Sequence, residues 1–116
     1  MVLTLLDAAT ATGAGTPHTI ADVPRHHTVV ASMGGTVVAT AVTVALEGSL
    51  VGGVLAKDWF TLASHAFTAA EITAEAAMFH VADKPVKYVR ANLETLTGGT
   101  APTVTAIYER YIRAVA

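Results

Sequence analysis

The 116-residue chain has no cysteine, which excludes disulfides and thiolate metal sites and leaves the redox compartment open. It is also short of charge. Charged residues make up 14% of the chain against a usual quarter, and the formal net charge is −2. With no Lys/Arg cluster to neutralise phosphates, nucleic acid is excluded as an expected partner. A long apolar run is missing too: Thr36 to Leu46 falls short of the ~20 residues a membrane helix needs, and Gly34, Gly35 and Gly48 bound it. The start of the chain lacks a basic segment and meets Asp7 early, so it reads as a first strand and not as a signal peptide. No membrane partner is expected.

What is present is a hydrophobic fraction of 53% interleaved with Thr, Ser, Gly and Ala. A surface built from small residues with so few charges suits burial against partners, and it favours a homo-oligomer or a larger assembly. The length fits one domain, 1–116.

Short β-branched runs separated by Gly/Pro turns every 8–12 residues predict an all-β antiparallel sandwich, Ig-like or jelly-roll-like, with at most one short helix. Residues 2–10 read as a strand, while the Thr/Ala/Gly-rich segment 1–18 as a whole could extend as an N-terminal arm. Pro24 separates two short strands. The run Thr36 to Glu47 is the best central strand, with Val44 and Leu46 on one side and Thr43, Ala45 and Glu47 on the other. Glycines 48, 52 and 53 make a long hairpin loop, which Trp59 is expected to anchor to the core near Leu62. Residues 68–77 read as a turn, at most one helical turn, because Glu71 and Glu75 would share a helical face. Strands Ala77 to Val81, Val86 to Leu93 and Thr103 to Ala114 follow. Tyr88 joins the core in the second, and in the third Val104, Ala106, Tyr108 and Arg110 oppose Thr105, Ile107, Glu109 and Tyr111.

Tests for chemistry return little. His26 and His27 are adjacent, so a strand points them to opposite faces, and His18, His65 and His80 are scattered; no metal or other cofactor is expected. None of Ser32, Ser49 or Ser64 sits in a nucleophile turn, and Asp58 with Glu47 reads as loop capping before it reads as a carboxylate pair. No catalytic residue is assigned. Trp59, Phe60, Tyr88, Tyr108 and Tyr111 could form a platform for sugars, although rings in so aromatic-poor a chain are commonly core. Arg90 fits a salt bridge to Glu47, Asp58 or Glu94. Tyr108, Tyr111 and Arg90 are the candidate interaction residues.

Four motifs occur in a fixed order: Glu47-Gly48-Ser49-Leu50; Trp59 with Leu62; Tyr88-Val89-Arg90; and Leu96-Thr97-Gly98-Gly99 with Pro102 and Thr103. In this order the chain resembles, over residues 40–108, small β-sandwich virion proteins of tailed bacteriophages. One departure is local. Val51 to Lys57 replaces the Asp-Gly turn that precedes the tryptophan in that pattern. The resemblance implies a non-enzymatic decoration or accessory protein on the virion head surface, assembled in the bacterial host cytoplasm. Its partners would be the major capsid protein and its own copies, a trimer being one form, joined through a sheet edge and the N-terminal arm. A tail, neck or fibre-associated module, or a carbohydrate-binding adhesion module, is the alternative.

Overall fold

The computed structural model describes residues 2–20 and 22–111, with side chains as far as Arg110. Nine strands are formed: β1 (Val2–Ala9), β2 (Gly13–Ala14), β3 (His18–Thr19), β4 (His26–Gly34), β5 (Ala41–Ser49), β6 (Phe60–Ala66), β7 (Ala76–Val81), β8 (Tyr88–Thr97) and β9 (Thr103–Tyr111). One short helix, α1 (Ala69–Ala74), joins β6 to β7. All pairings are antiparallel. The first sheet runs β1-β9-β4-β7; the second runs β2-β8-β5-β6, with β3 continuing β2 along the same edge of β8.

Counting β2 and β3 as one interrupted edge strand leaves eight strands, in the orders 1-8-3-6 and 2-7-4-5. That is the order of a jelly roll. Of the two sandwich types anticipated, the Ig-like one, in which most neighbours in sequence also pair, is set aside by this order. Only β5 and β6 form a hairpin; every other connection crosses between sheets. The loops therefore gather at the two ends of the sandwich. One end carries residues 22–25, 50–59 and 82–87, joined by backbone bonds from Lys84 N–H to Arg25 O (3.1 Å) and from Lys87 N–H to Ser49 O (3.1 Å). The other carries residues 35–40 and 98–102, bridged through Val37 and Thr100.

Period-2 alternation places the core. Val29, Ala31 and Met33 of β4, Val44 and Leu46 of β5, Val89, Ala91 and Leu93 of β8, and Val104, Ala106 and Tyr108 of β9 all meet between the sheets, with Leu62 half-buried against them. Two expectations change and an open one is decided. Of the segment 1–18 foreseen as a possible arm, the described residues 2–18 are committed to the sheets: β1 pairs with β9, and β2 and β3 pair with β8, with Leu5, Leu6 and Ile20 buried in the core. The strand foreseen from Thr36 begins at Ala41, since Val37 is drawn into its bridge with Thr100. And α1 does form, because Thr68 and Glu71 make a reciprocal capping box: Glu71 N–H donates to Thr68 Oγ1 (3.2 Å) and Thr68 N–H to Glu71 Oε1 (2.8 Å). Glu75 escapes the like-charge contact by ending the helix in the left-handed region (φ 62°).

Candidate functional site

The β5–β6 hairpin loop is the most unusual surface of the molecule. Of the nine large apolar side chains that stand out as exposed among the described residues, five lie between positions 50 and 60: Leu50, Val51, Val54, Leu55 and Phe60. Val54 at the tip is 99% exposed and Phe60 68%. A loop of this composition would ordinarily collapse on itself or on the body. It is held open by a set of local hydrogen bonds. The buried Ser49 Oγ accepts from Val51 N–H (3.1 Å) and Gly52 N–H (2.8 Å). Asp58 Oδ2 accepts from Leu55 N–H (3.1 Å), closing a single 3₁₀ turn over Ala56–Asp58. Trp59 Nε1–H donates to Gly53 O (2.8 Å). Gly52 has φ +66°, and a Cβ there would sit 2.8 Å from the Tyr88 ring, so the half-buried ring is the floor on which the loop backbone rests.

Beneath the loop lies a polar platform on the outer face of the second sheet. Glu47 faces Arg90 directly across β5 and β8, and Ala45 faces Asn92, which puts the three polar side chains on the side opposite Val44, Leu46 and Leu93. Arg90 Nε–H donates to Glu47 Oε1 (2.6 Å) and Asn92 Nδ2–H to Glu47 Oε2 (3.2 Å), so both carboxylate oxygens are engaged. The Arg90 guanidinium lies 4.3 Å from the centre of the Trp59 ring, a cation–π contact. Trp59 is thus buried (7% exposed) without belonging to the core cluster: it pins the loop to Arg90, and the expected anchor to the core is corrected to an anchor on the sheet's outer face. Of the three partners foreseen for Arg90, Glu47 is the one in contact; Asp58 caps the loop and Glu94 accepts from Ser64 Oγ (2.6 Å). Arg90 is therefore a support for the loop and not an open contact residue.

Between the loop and residues 82–87 runs an open groove of about 410 Å³, walled by Leu50, Val51, Phe60, Leu62, Pro85 and Val86 and rimmed by Lys57 and Asp58. One wall is tied down from the core. His27, 1% exposed, donates from Nε2–H to Lys84 O (2.8 Å) and accepts at Nδ1 from Tyr108 O–H (2.5 Å). This fixes a neutral imidazole, whose pKa burial holds below the ordinary 6.5, with neighbouring His26 adding to the effect. The same burial raises the Tyr108 hydroxyl above its ordinary 10.

Tyr108, expected as an interaction residue, is 1% exposed, because His27 supplies the partner that lets a phenol enter the core. Its burial and that of Trp59 dismantle the aromatic sugar platform. Tyr111 closes β9, and its side chain lies outside the described residues. His26 and His27 do point to opposite sides of β4, and among the described residues no three His, Asp or Glu side chains converge as a metal site would require. The loop patch, the place of Asn92 and the contact of Trp59 with the foreseen Glu47–Arg90 pair were missed in sequence. The signals were present: the apolar run Leu50-Val51-Gly52-Gly53-Val54-Leu55 inside a hairpin loop, and Arg90 and Asn92 alternating with Val89, Ala91 and Leu93.

No protein-family model and no curated protein sequence matches this chain. Among solved structures it is similar to the crystal structure of the SPBc2 prophage-derived protein YomS. The TM-score is 0.55 at 18% identity, over 93% of this chain and 90% of that one. The two share a fold.

Proposed function

We propose that this chain is a non-enzymatic structural protein of a tailed bacteriophage virion, a decoration or accessory protein seated on the outer surface of the head. The observation that carries this reading is the jelly-roll fold held in common, over nearly the full length of both chains, with a prophage-derived protein. Jelly rolls are also recurrent in viral coats, which is an argument by analogy of fold. The surface adds a physical one: the chain offers two separate apolar surfaces, so that one can meet the particle while the other remains free for a further contact.

The first is the hairpin loop. The second lies on the outer face of the first sheet, where Thr4, Ile107, Val30 and Met78 form one row across β1, β9, β4 and β7. Met78 and Ile107 are exposed there. This row is the surface proposed to meet the major capsid protein. It replaces the N-terminal arm, which is committed to both sheets, and the edge of β1, whose two register shifts spoil it as a template for strand addition.

Quantitative mass spectrometry of purified particles tests the reading. Copy numbers comparable to those of the major capsid protein, with loss of heat and low-salt resistance in particles lacking this chain, are expected; a few copies confined to the tail would make it a tail or neck module.

A further inference from the structure

We propose that the hairpin loop is covered by a second copy of this chain, in a two-fold pair in which each Val54–Leu55 tip enters the groove of the other. Four observations converge on a second copy. Tip and groove belong to the same surface of one molecule: Val54 and Leu55 project from a loop whose flanks, Leu50, Val51 and Phe60, wall the groove. A surface carrying both a projection and a recess of like chemistry is self-complementary under a two-fold rotation, which brings each projection to the other's recess.

The area suffices. The five exposed residues present on the order of 600 Å², at the upper end of what a monomer ordinarily leaves in one patch, and two such patches buried in full would reach the lower end of stable interfaces at about 1,200 Å² in total. A two-fold axis passing between Lys57 and Asp58, adjacent and of opposite sign in the groove lining, would set each lysine against the other copy's aspartate. Finally, the loop is ordered in advance. Ser49, Asp58, Trp59 and Arg90 fix its backbone, so little conformational entropy remains to be lost on association.

The pair rests on geometry alone and not on the virion reading, although a dimer would serve that role by doubling the contact with the particle. Sedimentation equilibrium of the full chain over a wide dilution series is the test, with Val54→Asp on the tip, Phe60→Ser on the groove and Met78→Asp on the first sheet as a control. Expected are a wild-type dimer, weakening of at least about a hundredfold in V54D from burial of a charge, weakening in F60S, and an unchanged dimer in M78D. All four proteins should keep the wild-type circular dichroism. A wild-type chain that stays monomeric throughout overturns the pair, as does a dimer that survives both V54D and F60S. A monomer that co-sediments with phosphatidylcholine vesicles overturns it in favour of a lipid surface. Failure of the dimer and failure of the virion reading are separable, since a monomer abundant on heads refutes only the first and a dimer absent from particles refutes only the second.

Discussion

The two ends of the sandwich solve loop closure in opposite ways. At one end residues 35–40 and 98–102 are brought so close that no side chain fits at Gly35 or Gly99. A Cβ on Gly99 would lie 2.5 Å from the Val37 carbonyl oxygen, and one on Gly35 would run into the carbonyl of Ala101; both glycines have positive φ, +75° and +106°. Backbone bonds complete the seal, Val37 N–H to Thr100 O (3.0 Å), Thr100 N–H to Val37 O (2.9 Å) and Thr40 N–H to Thr97 O (2.8 Å). At the other end glycines 52 and 53 also turn the chain, but side chains hold the loop, and they hold it away from the body. The closed end is held by backbone contacts and exposes Val37, where the open end exposes five large apolar side chains. The open end uses Trp59, Arg90, Glu47, Asp58 and Ser49 as scaffolding for an apolar tip that contributes nothing to the fold. Substitutions should therefore separate cleanly into those that unfold the protein and those that silence a surface.

The largest effect is expected from Gly99→Val, which imposes both a strained φ on a β-branched residue and a clash with backbone. Chemical denaturation should show a loss of about 2–4 kcal/mol. A loss below about 1 kcal/mol would mean that the closed end is not the rigid one. Next is Glu47→Ala, which leaves Arg90 without its carboxylate. The pair keeps some solvent access, so the expected cost is about 1–3 kcal/mol, below that of a fully buried pair. Its specific signature is local. Trp59 is the sole tryptophan, so its emission should shift to the red, and limited proteolysis should cut within residues 50–58 faster than in wild type. If emission is unchanged, the platform does not hold the loop.

Tyr108→Phe should cost about 1–2 kcal/mol by leaving His27 Nδ1 without its donor. His27 also gives the fold a pH dependence with a definite sign. Because its folded pKa is held below 6.5, the unfolded chain takes up the proton first. The stability linked to this group is complete above pH 6.5 and is lost as pH falls from there toward the folded value. Denaturation midpoints measured through that window should decline in wild type and decline less in His27→Gln. Glu71 acts lower on the scale. The Thr68 backbone N–H, and then His65, hold its carboxyl below the ordinary 4.5, so its contribution is present above that value and fades as pH falls below it. The smallest effect belongs to the open end: Val54→Asp, compared with wild type at concentrations too low for pairing, should change stability by no more than about 0.5 kcal/mol. A larger loss would show that the tip supports the fold after all.

How much of this was legible in sequence depends on the range of the interaction concerned. Alternation in β9 marked Val104, Ala106 and Tyr108 as one face, and that face is the core. In β5 it separated Val44 and Leu46 from Ala45 and Glu47 correctly. It could not show that the second face is also covered, because the cover, Trp59 and Arg90, comes from positions 59 and 90. Tyr108 illustrates the same limit. A phenol reads as amphipathic until its partner is known, and His27 lies 81 residues away. The strand order, and with it the jelly roll, is set by pairings such as β1 with β9 that no local period encodes. The helix α1 had a local signal in the Thr68–Glu71 capping spacing, and Glu75 leaves the helix before it can share a face with Glu71.

Binding to the particle is the most direct test of the virion role. Purified chain would be added to phage particles that lack it, the heads and tails separated, and the bound protein measured on each. Saturable binding to heads, retained in Val54→Asp and lost in Met78→Asp, is the expected result. Binding confined to tails, or none to either, would contradict the proposed function.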